Sequence, residues 1–428
     1  MITAAAIGVF LVAYAFIATE RIDRVAAALG GVAAMTVLGL VDADSAFFDH
    51  DTGVDWNVIF LLFGMMVIVG VLKQTGLFEY LALWAARASG GRPARLLGLL
   101  IVVTALASAL LDNVTTVLLV APVTLSVCAR LGLPTTPYLV SLIFASNIGG
   151  TATLIGDPPN IIIASRAGLS FNDFLVHTLP VTVVIVALLV VLCRFLYRRE
   201  LRAVVPLEDA VQLDPASAIR DPRRLAICLV VLTVVMVAFG LHTVLHLDPS
   251  VVAMLGAGAM VLLTRTSSEE FLEEVEWGTL VFFMALFALV GALVQVGVIG
   301  DLGELAADAL GDRPLVAATT LLFGSAIVGG FVDNIPYTAA TVPIVQDLVG
   351  ASGDTSSGNP LWWAFALGAD LGGNTTAVAA GANVVVLGIA HSAGRPITFW
   401  QFTRNGLIVT FMSLCVAWLY VWLRYFVM

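Results

Sequence analysis

The chain has 428 residues, 60% hydrophobic and only 12% charged, with a formal net charge of −10 and a mean hydropathy of +1.02. A soluble domain carries about twice that share of charge, so the composition excludes a soluble globular protein and predicts a polytopic helical membrane protein. No basic stripe suggests nucleic acid, and the acidic residues cluster in loops, so the negative balance says little about partners.

In chain order, Ile2 to Ala18 lacks a basic n-region and a small-residue cleavage site, and reads as a retained first helix, not a signal peptide. Further spans are expected over 24–41, 54–72, 138–165 and 174–197, then 224–245, 249–264, 277–297, 361–390 and 401–426. Segments 77–89 and 301–310 read as short interfacial helices. That leaves 95–131 and 314–349. The limb Leu96 to Leu111 gives about 24 Å at 1.5 Å per residue, short of a core of ~30 Å, so each of these segments is expected to form a re-entrant helical hairpin. Segment 199–223 reads as a charged, solvated linker. Cys128, Cys193, Cys228 and Cys415 lie singly in apolar helices, with neither zinc spacing nor a disulfide pattern, and read as packing residues. His50 falls in a loop, and His177, His242, His246 and His391 fall near span ends, as interfacial residues do.

The two halves repeat. Trp56 matches Trp277, Gly70 matches Gly291, Gln74 matches Gln295, Gly76 matches Gly297, Asp112-Asn113 matches Asp333-Asn334 and Pro122 matches Pro343, all at an offset of 221. After a two-residue slip the offset is 223, where Gly149-Gly150 matches Gly372-Gly373, Thr153 matches Thr376 and Asn160 matches Asn383. Placing the 20–23 loop in the cytoplasm, with each hairpin returning to the side it entered from, puts 17 of the 20 basic residues inside and leaves Arg166, Arg313 and Arg424 outside. Each half then crosses five times, an odd number, so the repeats insert upside down. The expected organisation is a first inverted repeat over 1–198 (hairpin from the cytoplasmic side, broken helix 138–165), the linker 199–223, and a second repeat over 224–428 (hairpin from the outer side, broken helix 361–390). Both termini are expected outside a cell membrane of the inner or plasma type.

The chemistry concentrates in the hairpins and broken helices. SNIGGTATLIGDPPNIII, Ser146 to Ile163, and ADLGGNTTAVAAGANVVV, Ala369 to Val386, carry glycine pairs, Pro158-Pro159 and clustered Thr/Asn that disrupt an ordinary span. Glycines alone fit close helix packing. The accompanying Asp157, Asn160, Asp370, Asn374 and Asn383 do not, because irregular backbone at membrane depth is tolerated where it is buried or lines a cavity and can hold an ion or polar solute. Four aspartates, Asp112, Asp157, Asp333 and Asp370, lie near the midplane. At about 2.5–3.5 kcal/mol each they would cost roughly 10–14 kcal/mol, so they are expected to be protonated, cation-bound, hydrated or faced by half-helix N-termini, and to couple transport to protons or sodium. A structural cap is the plainer role for any one of them. No Lys, Arg or His enters these constellations, which favours a cation, or a neutral solute moved against protons, over a multivalent anion.

LLDNVTTVLLVAPVT with SNIGGTATLIGDPPNIII, and FVDNIPYTAATVPIV with LGGNTTAVAAGANVVVLGIA, resemble the arsenite permease, NhaD sodium/proton antiporter and P-protein branch of the ion transporter superfamily, over nearly the whole chain. The resemblance implies an all-α polytopic fold of two inverted repeats, each of five spans plus a re-entrant hairpin, and an elevator-type homodimer in the lipid bilayer. It implies that Asp112, Asn113, Thr115, Thr116, Asp333, Asn334 and Thr338 bracket the substrate with Asn147, Thr151, Asn160, Asn374, Thr375 and Asn383. Asp370 departs from the arsenite-pump pattern and raises the sodium/proton reading. The function expected is proton-coupled efflux of arsenite or antimonite, with sodium/proton exchange as the alternative, then an anion or carboxylate transporter. A channel is the alternative of another class, since opposed hairpins suit alternating access better than a continuous pore. No enzyme is expected: a Gly-x-Gly-Asp aspartyl protease would need glycine where Leu154 stands, and a rhomboid Gly-x-Ser-Gly is absent. No cofactor or resident metal is expected beyond the coupling proton or Na+. An arsenite pump would add a cytoplasmic ATPase subunit as a partner.

Overall fold

The computed structural model describes residues 2–19, 21–49, 52–202, 214–311 and 313–427. His50 and linker segment 203–213 lie outside the described residues; among the described residues no strand occurs. The first half contains α1 (Ile2–Thr19), α2 (Arg24–Val37), α3 (Ala43–Phe47), α4 (Trp56–Lys73), α5 (Leu77–Ala88), the hairpin limbs α6 (Pro93–Leu110) and α7 (Asn113–Arg130), the broken pair α8 (Thr135–Gly150) and α9 (Pro158–Ala167), α10 (Phe171–His177) and α11 (Leu179–Leu196). The second half follows with α12 (Pro222–Leu245), α13 (Pro249–Thr264), α14 (Ser268–Glu273), α15 (Trp277–Gln295), α16 (Val298–Leu310), the hairpin limbs α17 (Pro314–Gly329) and α18 (Asn334–Ala351), the broken pair α19 (Pro360–Gly372) and α20 (Gly381–Ser392), and α21 (Phe399–Trp422).

The boundaries follow local chemistry. Proline stands at the start of α6, α9, α12, α13, α17 and α19, where its missing N–H costs nothing and its fixed φ suits the helix. Gly76 and Gly297 precede α5 and α16 at φ 83° and 82°, a left-handed turn that glycine adopts without strain, and each turns the chain towards a hairpin.

Among the described residues, eight helices are long and apolar enough to cross a membrane, hairpin limbs α6 and α7 included. Limb length therefore argues less for a hairpin than the sequence suggested: α6 runs 18 residues, about 27 Å. The position of the tip carries the argument instead, because Asn113 bonds to Asn147 and Asp157 in the middle of the broken element 135–167. Two further expectations are corrected. The span over 174–197 is divided, with α10 ending at His177 and α11 starting one residue before Pro180, whose ring cannot sit inside a continuing helix. The linker is not all solvated loop: Arg220 N–H donates to the Thr75 carbonyl at 3.1 Å, docking residues 214–221 on the turn between α4 and α5.

Packing repeats reciprocally. Within each half the first limb lies on the broken helix, α6 on α8 and α17 on α19; between halves the second limbs cross over, α7 on α20 and α18 on α9. Around them α4 pairs with α13, and α15 with α2. Residues 137–164 are buried without interruption, so the broken helix is enclosed by protein along its length, as its irregular backbone requires. Val183, Val191, Phe195, Val230, Val234 and Val237 on α11 and α12 are exposed instead, as lipid-facing side chains are. Gly149 and Gly372 let the elements meet: a Cβ there would lie 2.4 Å from Ala105 O and 2.7 Å from Ala326 Cα.

Candidate functional site: a polar centre shared by both halves

Each hairpin tip is a helix N-terminus. Asp112 Oδ1 accepts the Thr115 N–H at 2.7 Å, and Asp333 Oδ1 accepts the Ile335 N–H at 3.0 Å. These caps satisfy orphan donors and complement the positive helix end. They differ in strain: Asp112 has φ −82°, whereas Asp333 has φ 89°, a conformation a non-glycine residue keeps only where its surroundings impose it. Both aspartates are half-buried, while Asn113 and Asn334 beside them are buried. The asparagines lead into the interior.

There, Asn113 Nδ2 donates to Asp157 Oδ2 at 2.9 Å and to Asn147 Oδ1 at 3.3 Å. Asn147 Nδ2 donates across to the second half, to Asn374 Oδ1 at 3.1 Å and Asn383 Oδ1 at 3.0 Å. Asn383 Nδ2 holds the Gly373 and Thr376 carbonyls at 2.7 and 2.8 Å, and Asn160 Nδ2 holds those of Thr153 and Gly150 at 3.1 and 3.4 Å. These are carbonyls freed where the helices break, and because they take the amide nitrogens, each Oδ1 is turned to the centre.

Asn147 and Asp370 are equivalent positions of the two halves, as are Thr151 and Asn374, and Asn160 and Asn383, all 223 apart. The mirror image of the Asn147 contacts therefore places Asp370 beside Thr151 and Asn160. Asn147 has amide hydrogens to give there; a carboxylate has none. Asp370 Oδ1 and Oδ2 and Asn160 Oδ1 are buried without a hydrogen-bond partner, as are Asp157 Oδ1 and Asn113 Oδ1. Asp157, the other fully buried carboxylate of the centre, is held by Asn113 through Oδ2. Unpaired buried acceptors are costly, so this side of the centre is built for a proton or a cation. Asn334 Nδ2, which adjoins Asp157, and Asn374 Nδ2, Thr116 Oγ1 and Thr338 Oγ1 are also buried without a well-formed hydrogen bond and can meet an oxygen-bearing solute.

Of the other expected residues, Thr115 stays at the first tip with its N–H on Asp112, and Thr151, beside Asp370, has its Oγ1 donating to the Asn147 carbonyl at 3.1 Å; Thr375 is turned elsewhere, its Oγ1 donating to Thr410 on α21 at 3.3 Å. Two residues not among the expected ones join: Ser146, which opens the broken-helix motif, donates its Oγ hydrogen to the Asn113 carbonyl at 2.8 Å, and Ser108 Oγ donates to the Ser146 carbonyl at 2.7 Å.

The expectation that no basic residue comes near is corrected. Arg24, the first residue of α2, has its guanidinium 4.0 Å from Asp333 Oδ2, 5.3 Å from the centre of the Phe282 ring and 3.5 Å from Thr279 Oγ1. It looked like an ordinary span-end arginine because only the tertiary fold brings α2 to the second hairpin. With Asp23, Glu276, Asp333 and Val384 it lines a cavity of about 530 Å³. The equivalent cavity of the other half, lined by Asp248, Pro249, Ile161 and His242, measures about 190 Å³.

A family model described as "Citrate transporter" (CitMHS) matches residues 14–368. The "Uncharacterized transporter Rv2684" of Mycobacterium tuberculosis is 52% identical over 424 residues, 99% of each chain. The human "P protein" is 33% identical over 493 residues, covering 95% of this chain and 58% of the P protein. Among solved structures, the Alcanivorax borkumensis YdaH transporter, described as having an unusual topology, matches with a TM-score of 0.62 at 15% identity, over 85% of this chain and 84% of that one.

Proposed function

Since the chain belongs to the CitMHS family of membrane transporters, within the ion transporter superfamily, we propose that it is a secondary active transporter that moves a small solute against a cation held at Asp157 and Asp370. One observation carries this reading. At Asp370 both carboxylate oxygens are buried without a well-formed hydrogen bond and lie beside Thr151 and Asn160, whose own Oδ1 is also unpartnered. A proton on Asp370 would supply the donor that Asn147 supplies in the mirrored contact, and a sodium ion would bind the same oxygens. Either links the charge of the site to its occupancy.

For the solute, proton-coupled efflux of arsenite or antimonite is the first reading. These neutral trihydroxy acids bring O–H donors to the unpartnered acceptors, and their oxygens accept from Thr116, Thr338, Asn334 and Asn374. Sodium/proton exchange is the second, favoured by Asp370. A carboxylate such as citrate would find, among the described residues lining the wider cavity, Arg24 as its one full positive charge. The hairpins and broken helices would move as one body, in elevator fashion, against a framework of α1, α2, α4, α12, α13 and α15, within a homodimer. The repeat boundaries (1–198 and 224–428), both termini outside and residence in the cell membrane belong to the same proposal, as does an ATPase partner if arsenite is the cargo. The wider cavity beside the basic-flanked 20–23 loop then corresponds to a cytoplasm-facing state.

The test is a panel of arsenite, sodium, lithium and citrate in everted vesicles, with proton movement followed by a pH dye. Arsenite uptake driven by a pH gradient supports the first reading. Sodium-evoked dequenching without arsenite uptake selects the second, and citrate uptake alone would overturn both.

A further inference from the structure

We infer that Arg24 is a positioning residue that latches the second hairpin tip to the framework until cargo occupies that tip, so that the unloaded site does not cross the membrane. The inference rests on the alternating movement proposed above.

The two partners sit on different bodies. Arg24 opens α2, which packs on α1 and α15, and its guanidinium is held by Phe282 and Thr279, both on α15. Asp333 is the cap of hairpin limb α18. Their 4.0 Å approach therefore joins framework to hairpin, whereas Lys73–Glu274 at 2.7 Å and Arg224–Glu270 at 3.8 Å join framework to framework. Asp333 is also the strained residue of the site, at φ 89° and ψ 128°. A charge attracting its carboxylate is one of the surroundings that can hold such a conformation. The pair lies in the 530 Å³ cavity, with Asp23 and Glu276 as the other charged groups lining it. Glu276 accepts from the Thr279 hydroxyl at 3.0 Å and also lies within the field of Arg24, while Asp23 caps α2 through Val25 and Ala26; of the three acids only Asp333 belongs to a hairpin.

The device is one-sided. In the other half the cap Asp248 is followed by Pro249 as first helical residue, so no charge stands at the start of that helix, and among the described residues no ion pair joins Asp112 to the framework. Cargo that takes the Asp333 carboxylate removes what Arg24 attracts and frees the hairpin. An antiporter needs such a rule: if both the proton-loaded and the empty forms cross, protons leak without solute.

The experiment uses the full chain in proteoliposomes, as wild type, Arg24→Gln and Arg24→Lys. A pH gradient is imposed first with neither sodium nor arsenite present; arsenite/arsenite and sodium/sodium exchange are then measured separately. Arg24→Gln should dissipate the gradient at least fivefold faster than wild type while exchange stays within about twofold, and Arg24→Lys should restore tightness. Exchange, which needs no empty crossing, reports that the variant is folded. An unchanged leak in Arg24→Gln overturns the latch, and so does a matched loss of exchange in both variants. Wild type that exchanges neither probe sinks the transport reading itself, and the latch with it.

Discussion

Replacing Asp370 by Asn returns to the second half the residue that the first half uses at the equivalent position, Asn147. The amide could donate to Asn160 Oδ1, as Asn147 donates to Asn383 Oδ1 at 3.0 Å. In the native chain both Asp370 oxygens and Asn160 Oδ1 are buried without partners, and each such group costs about 1–3 kcal/mol when left unmade. Satisfying one acceptor should therefore stabilise Asp370→Asn by about 1–3 kcal/mol in the absence of a cation. Removing one of the two carboxylates that hold the proton or cation should at the same time lower pH-gradient-driven transport at least a hundredfold, by order of magnitude about 2.7 kcal/mol or more in the coupled step. The two effects have opposite signs, which separates a coupling residue from a structural one. Thermal unfolding in detergent and uptake into vesicles measure them on the same preparation. A variant that transports at the wild-type rate, or that is destabilised as much as it was expected to be stabilised, refutes the reasoning.

Gly149→Ala and Gly372→Ala should each destabilise by about 1–3 kcal/mol or more, because the added methyl meets backbone of the adjoining hairpin limb at 2.4 and 2.7 Å and neither element can shift freely; thermal unfolding and yield of monodisperse protein check this. His177 stacks on Trp363 with ring centroids 4.4 Å apart and bonds to Tyr425, and burial, with Arg424 nearby, pushes its pKa down to about 4. The unfolded chain, near 6.5, binds the proton first, so the stabilisation from neutral His177 is present above pH 6.5 and lost as pH falls towards about 4. His177→Phe should flatten that part of the stability profile between pH 7 and 5, measured by thermal unfolding at both.

Much of this architecture was legible in the sequence, for physical reasons. Uninterrupted apolar runs and the internal repeat located most spans to within a few residues, and the paired glycines marked where helices break. What escaped depends on contacts between distant segments or on one residue's turn of backbone. Asp112-Asn113 and Asp333-Asn334 announced the tips, but helix-start geometry decides that the aspartates cap and the asparagines enter. Thr375 and Thr376 are neighbours in a break that has no period, so nothing in the sequence could say that Thr375 turns to Thr410. Arg24 gave no signal because its partner lies in the other half. The offset of 223 also pairs Asn147 with Asp370 and Asp157 with Ala380, so each half carries one carboxylate that the other lacks.

The central claim is that Asp157 and Asp370 carry a cation through one site made by both halves. Charge displacement on a solid-supported membrane tests it most directly, with proteoliposomes of wild type and of the Asp157→Asn/Asp370→Asn double variant exposed to a sodium jump and, separately, a pH jump. The account predicts a transient current in the wild type for at least one jump and its loss in the double variant. Currents of equal size in both proteins would contradict it.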